Sequence, residues 1–238
     1  MSERLHVAAY VLTEAFSEPD PRRLPLRMAR ALRVGMGADG VSVTLMPQTS
    51  EAQLVCASGR VALRLEELQF EVGRGPGIAC AVGASPVLVG DFREVHPLWP
   101  VFSTVVGEQL PQVRALWAFP VMSGYEVLGS VLLYRTTLWY PHRKAVEQGM
   151  LAARAVARLL EDMESVLLAE DGCDWEPRDM IEAHWLSAHR AAGVLAEHLG
   201  LPVSETMVLM RARALRTGTP LPVLAARLAC DPASWNET

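Results

Sequence analysis

Residues 113–134 read VRALWAFPVMSGYEVLGSVLLY. Val113, Ala115, Trp117, Phe119 and Val121 alternate with their neighbours, the period of two that turns one face of a strand to a core. Residues 127–134 predict a second strand, and Ser123-Gly124 suits a hairpin turn between the two. An antiparallel pair of this length sets the frame of a sheet. Working outward from it, Pro86-Val87-Leu88-Val89 predicts a short strand that ends near the polar Asp91, and residues 99–108 predict a short helix. Further upstream, Val41, Val43 and Leu45 alternate with Ser42 and Thr44, as in a half-buried strand. Residues 53–57 predict its partner, close enough for a second antiparallel hairpin.

Helical periods flank these strands. Residues 3–17 place Leu5, Ala8, Ala9, Leu12 and Phe16 on one face, and residues 23–36 do the same with Leu24, Met28, Ala31 and Leu32. A short helix is predicted over residues 61–70. The run Gly73-Arg74-Gly75-Pro76-Gly77 predicts a tight turn into a short helix at residues 78–82, because three glycines and a proline suit neither a helix nor a strand interior. Neither the spacing nor the terminal Lys-Ser/Thr of a phosphate-binding loop is present. Residues 141–169 predict a long helix with two apolar seams, Val146, Met150, Ala153, Ala157, Leu160 and Leu167 in one, Ala152, Val156, Leu159, Met163 and Val166 in the other. One sheet needs only one stripe. One seam is therefore expected to cover the sheet and the other to pair with a second protomer in a homodimer, the first seam being the candidate dimer face, the alternative being a wide stripe buried within the monomer.

This order of elements resembles a GAF domain, an α+β fold with an antiparallel sheet flanked by helices. The resemblance spans roughly residues 20–155 and rests on Val72-Gly73-Arg74-Gly75-Pro76, Pro86 to Asp91, Trp99-Pro100-x-Phe102, Trp117-Ala118-Phe119-Pro120-Val121 and Val127 to Leu132. Gly77 stands where many relatives carry a cysteine or another side chain. The resemblance implies a pocket for a small-molecule effector, and Phe70, Asp91, Trp99, Phe102, Trp117 and Phe119 are the candidate lining. Aromatic residues on alternating strand positions also serve simply as core.

Beyond an acidic connector at residues 170–178, residues 181–228 predict three short helices. Ile181, Trp185, Ala188, Ala192, Leu195 and Leu199 form the seam of the first, with Gly200 and Pro202 as its stop. Ser204 is expected to cap the second, with Met207, Met210, Ala214 and Leu215 inward and Gly218 at its end. Thr219 and Pro220 are expected to start the third, with Leu221, Leu224, Ala225 and Leu228 inward. The segment resembles the ANTAR domain, a three-helix RNA-binding module of bacterial antitermination regulators. Ala191 to Leu195, Met210-Arg211, and Leu221 with Val223 to Ala225 carry the likeness, while Thr206-Met207 and His198 depart from it.

The resemblance implies binding of paired RNA hairpins, with Arg190, Arg211, Arg213, Arg216 and Arg227 as candidate contacts, since Arg bonds phosphate and stacks on unpaired bases. On an ideal helix Arg213 and Arg216 lie about 60° apart and Arg211 points away, so a structural task is expected for Arg211. A DNA-reading helix-turn-helix is the alternative. It is disfavoured because the would-be recognition helix opens on Met207, Val208, Leu209 and Met210.

Composition bounds the remaining classes. The 238 residues are half hydrophobic, enough for a real core, and the net charge of -5 argues against a chain that coats nucleic acid or anionic membrane. Charge is segregated: residues 161–182 carry nine acidic side chains and one Arg, residues 184–230 five Arg and two Glu. No run approaches the ~20 apolar residues of a membrane span, so no membrane partner and a cytoplasmic location are expected. Cys56, Cys80, Cys173 and Cys230 form no C-x-x-C pair, and His184 and His189 are five apart, so no metal site or cofactor is expected. Cys80, near the expected pocket, supplies the enzyme alternative, a likeness to the GAF-fold free methionine sulfoxide reductases. The expected organisation is a sensor at residues 1–140, a dimerising helix at 141–169, the connector at 170–178 and the RNA-binding helices at 179–235. Together they predict a non-enzymatic, signal-responsive antitermination regulator.

Overall fold

Five antiparallel strands form the sheet: β1 (Gly40–Leu45), β2 (Gln53–Ala57), β3 (Val87–Val89), β4 (Ala115–Ser123) and β5 (Glu126–Arg135), in the order β2-β1-β5-β4-β3. The computed structural model describes residues 6–17, 20–46, 52–93, 96–140, 142–162 and 176–237. As the alternation predicts, β4 turns Trp117, Phe119 and Val121 to one face and Leu116 and Ala118 to the other. Gly124, at φ 59°, closes the β4–β5 hairpin.

The first face packs on α2 (Leu24–Met36) and α6 (Arg143–Asp162), and α1 (His6–Ala15) lies against both helices in the same core. The second packs on α3 (Arg60–Val72), α4 (Pro76–Gly83) and α5 (Pro100–Gln109). Gly73, left-handed at φ 72°, ends α3, and Pro76 opens α4, so the glycine-rich run is the predicted turn. Because both faces are covered, Ser42 and Thr44 are buried, which corrects the half-buried reading of β1. In α1 the buried stripe is Val7, Ala8, Val11 and Ala15, and Phe16 is 64% exposed. The predicted stripe is rotated because α1 lies between α2 and α6, with no contact to the sheet strong enough to orient it.

The two seams of α6 meet the same core. Ala152, Val156 and Leu159 are buried, but so are Ala153, Ala157 and Leu160, while Val146 and Met150 are half-buried. α1 and α2 cover what the sheet leaves open, so the described part of the expected dimer face lies inside the chain, and Met163, Val166 and Leu167 are outside the described residues. α6 approaches β4 through Gly149, where a Cβ would fall 2.2 Å from the Phe119 ring.

Three further helices, α7 (Glu176–Leu199), α8 (Val203–Thr217) and α9 (Leu221–Cys230), share a core of Ala188, Ala192, Leu195, Met207, Met210, Leu224 and Leu228. Gly218 at φ 65° ends α8 as predicted. Ser204 makes no cap; Pro202 precedes the helix with no side-chain bond, and Leu215 is 42% exposed while Arg213 is buried in its stead. Pro220, not Thr219, occupies the cap position of α9. Among the described residues no helix is long and apolar enough to cross a membrane.

Candidate functional site

The C-terminal helices rest on the sheet unit through a small apolar joint. Leu54 of β2 and Phe70 of α3 belong to the same buried cluster as Trp185 of α7, and Phe70 stacks on Trp185 with ring centroids 4.7 Å apart at 13°. The His189 ring leans on Phe70 at 5.6 Å. Arg211 of α8 reaches the same place: its Nε–H donates to the Phe70 carbonyl at 2.8 Å, and its guanidinium lies 5.2 Å from the Phe70 ring centroid. Gly73 leaves room for it, since a Cβ there would fall 2.9 Å from Arg211 Nη1.

Behind this joint a buried polar chain crosses from β1 to the turn before α4. Ser42 Oγ donates to Glu66 Oε1 at 2.6 Å, Gln69 Nε2 donates to Glu66 Oε2 at 3.0 Å, and the Gly77 N–H donates to Gln69 Oε1 at 2.7 Å. Gly77 is thus a main-chain donor at the position where a side chain would meet Gln69 and Ser130. Burial pushes the Glu66 carboxyl above its ordinary range, against smaller opposing contributions from Ser42, Thr44 and Gln69. Ser130 Oγ is buried without a hydrogen-bond partner among the described residues, and Thr44 Oγ1, close enough to the Glu66 carboxyl to lower its pKa, falls short of full hydrogen-bond geometry. Burial likewise pulls the Arg211 guanidinium down to about 10.

These groups wall a cleft of about 280 Å³. Thr44, Met46, Glu66 and Gln69 line it from the sheet unit, and Trp185, His189 and Arg211 from the C-terminal helices. It can offer a cation, amide and hydroxyl groups, and a flat aromatic wall to a small ligand.

The predicted pocket residues do not gather around one cavity. Trp99 and Phe102 are core between α5 and the second sheet face, whereas Trp117 and Phe119 are core on the first face, Trp117 stacked on Trp139. The sheet itself separates the two pairs. Asp91 is engaged by Arg93 and, at 3.9 Å, by Arg114, and the Arg93 hydrogen bonds hold its carboxyl below the usual range. Phe70 alone among them borders the cleft. The predicted Arg set also divides. Arg190, Arg216 and Arg227 are exposed, but Arg213 is buried, donating from Nη1 to the Trp235 carbonyl with its guanidinium 4.6 Å from the Trp235 ring centroid. Arg213 and Arg211 are therefore internal contacts in this fold, the latter as expected.

Glu66, Gln69 and Thr44 escaped the sequence reading, although a signal existed. Glu66 and Gln69 continue the stripe begun by Ala62 and Leu65 on one face of α3, so polar residues stand at core positions.

No protein-family model and no curated protein matches the chain. The GAF domain of a phosphoenolpyruvate-protein phosphotransferase from Coxiella burnetii superposes with a TM-score of 0.54 at 14% identity, covering 69% of this chain and 96% of that one. The corresponding Acinetobacter GAF domain gives 0.54 at 12% identity, over 69% and 96%. A free methionine-R-sulfoxide reductase from Neisseria meningitidis, solved with its substrate, gives 0.51 at 16% identity, over 69% and 92%. At such identities the likeness is one of fold. The antiparallel sheet and its flanking helices have the GAF fold.

Proposed function

We propose that the protein is a cytoplasmic, signal-responsive antitermination regulator, whose GAF domain senses a small molecule and whose three C-terminal helices bind hairpin RNA. One observation carries the reading: a GAF fold is joined to a three-helix unit on which Arg190, Arg216 and Arg227 are exposed while Arg211 and Arg213 serve its internal contacts. Exposed guanidinium groups suit phosphate contact and stacking on loop bases. The paired use that tandem hairpins call for is part of the proposal, with protomer contacts elsewhere than the Val146–Leu160 seam, which faces the chain's own core.

The DNA-binding alternative is less favoured because α8, the would-be recognition helix, buries Met207 and Met210 near its start. The reductase alternative is less favoured because Cys80 is fully buried and burial pushes its thiol up to about 12, so it keeps its proton at neutral pH. A gel shift across a salt series tests the proposal. Tandem-hairpin RNA should bind more tightly than a single hairpin or duplex DNA, and replacing Arg190, Arg216 and Arg227 together by Gln should weaken it and flatten the salt slope. Equal affinity for all three nucleic acids would overturn it.

A further inference from the structure

We infer that the cleft between the GAF sheet and the C-terminal helices is the effector site, and that it takes a small organic carboxylate held by Arg211. The inference rests on the sensor reading above and assigns its ligand class and its reader.

Arg211 is half-buried, and among the described residues its hydrogen bond goes to a neutral carbonyl, that of Phe70; no carboxylate pairs with it. Its two Nη groups have no hydrogen bond to a described residue. A guanidinium withdrawn from water without an anion is costly, and a carboxylate is the planar two-oxygen acceptor that matches its fork. Its lowered pKa comes from the same burial.

The guanidinium is also held in place. The Nε bond to Phe70, the Phe70 ring beneath it and the bare Gly73 beside it fix its plane. Thr44 Oγ1, buried at the same cleft beside the Glu66 carboxyl, meets full hydrogen-bond geometry with no described residue and can turn its hydroxyl to a ligand oxygen. Met46, Ile78 and the stacked Phe70 and Trp185 supply apolar walls, so the carboxylate should sit on a flat apolar body. At about 280 Å³ the cleft falls just below the ~300–1,000 Å³ typical of drug-sized ligands, which points to a small one.

The site is incomplete without both units. Thr44 comes from β1 and Arg211 from α8, so an acid bound by the two Nη groups and Thr44 bridges the units beside the Arg211–Phe70 bond that already joins them. Occupancy is thereby read where the helices dock.

Thermal melts of the full chain with benzoate, phenylacetate and indole-3-acetate, each against its primary amide, test this. At least one acid should raise the melting temperature saturably and its amide should not. Arg211→Gln should weaken that acid about tenfold or more, and Arg211→Lys less. Thr44→Val, which leaves the Arg211–Phe70 contact untouched, should weaken it as well and guards against misfolding of the Arg211 variants. The inference is overturned if none of the three acids binds, if an amide binds as well as its acid, or if Arg211→Gln keeps full affinity. Gel shifts on the same preparations separate the two readings: tandem-hairpin binding without acid binding sinks this inference alone, and the reverse sinks the RNA reading alone.

Discussion

The Nε–H of Arg211 and the carbonyl of Phe70 join two segments 141 residues apart through one 2.8 Å hydrogen bond. Arg211→Ala should cost about 1–3 kcal/mol, because the bond is lost and the Phe70 carbonyl is left in a half-dry joint. Native-state hydrogen exchange should show the loss in α7 to α9 first, with the sheet amides little changed. Uniform acceleration across the whole chain would mean that the contact is not a local joint.

Glu66 should make stability depend on pH in a defined direction. Its carboxyl is raised above the ordinary 4.5 by burial, so the folded state favours the protonated form. That contribution is complete below the unfolded value and is lost as pH rises through the folded one. Glu66→Gln, which keeps the amide-sized shape and can bond Ser42 and Gln69, should therefore gain stability over the parent as pH rises from about 4.5. Melts across that range check it, and a difference that stays constant with pH would exclude a raised Glu66.

Gly149→Ala should destabilise by about 1–3 kcal/mol, since the added Cβ would meet the Phe119 ring at 2.2 Å. Phe119→Leu in the same chain should recover part of the loss, a non-additivity that a double-mutant cycle in urea measures.

Two Arg residues three positions apart on α8 should behave differently. Arg213→Ala loses a buried bond to the Trp235 carbonyl and the packing on its ring, at about 1–3 kcal/mol. Arg216→Ala, on an exposed side chain, should stay within about 0.5 kcal/mol and, under the proposed RNA reading, lower affinity for tandem-hairpin RNA.

The sheet was legible because period-two alternation at Trp117, Phe119 and Val121 records which side of β4 each residue occupies. Helix stops were legible where glycine takes a left-handed φ, as at Gly73 and Gly218. The site was not, because its parts are drawn from Thr44, Glu66, Phe70, Trp185 and Arg211, which only the docking of the C-terminal helices brings together. Apolarity in Trp99, Phe102, Trp117 and Phe119 marks burial but not the side of the sheet, so four core residues looked like one lining. In α6 the same ambiguity made a doubly covered helix look half-free.

Strand β2 pairs with β1 alone and so ends the sheet, with α7 lying against it. An unpaired strand edge is a template for another chain. The C-terminal helices therefore also shield the margin of the GAF sheet: a chain cut after Asp162 would uncover Leu54 and Phe70 beside an open edge, and self-association of such a fragment would report that loss of cover rather than a native assembly.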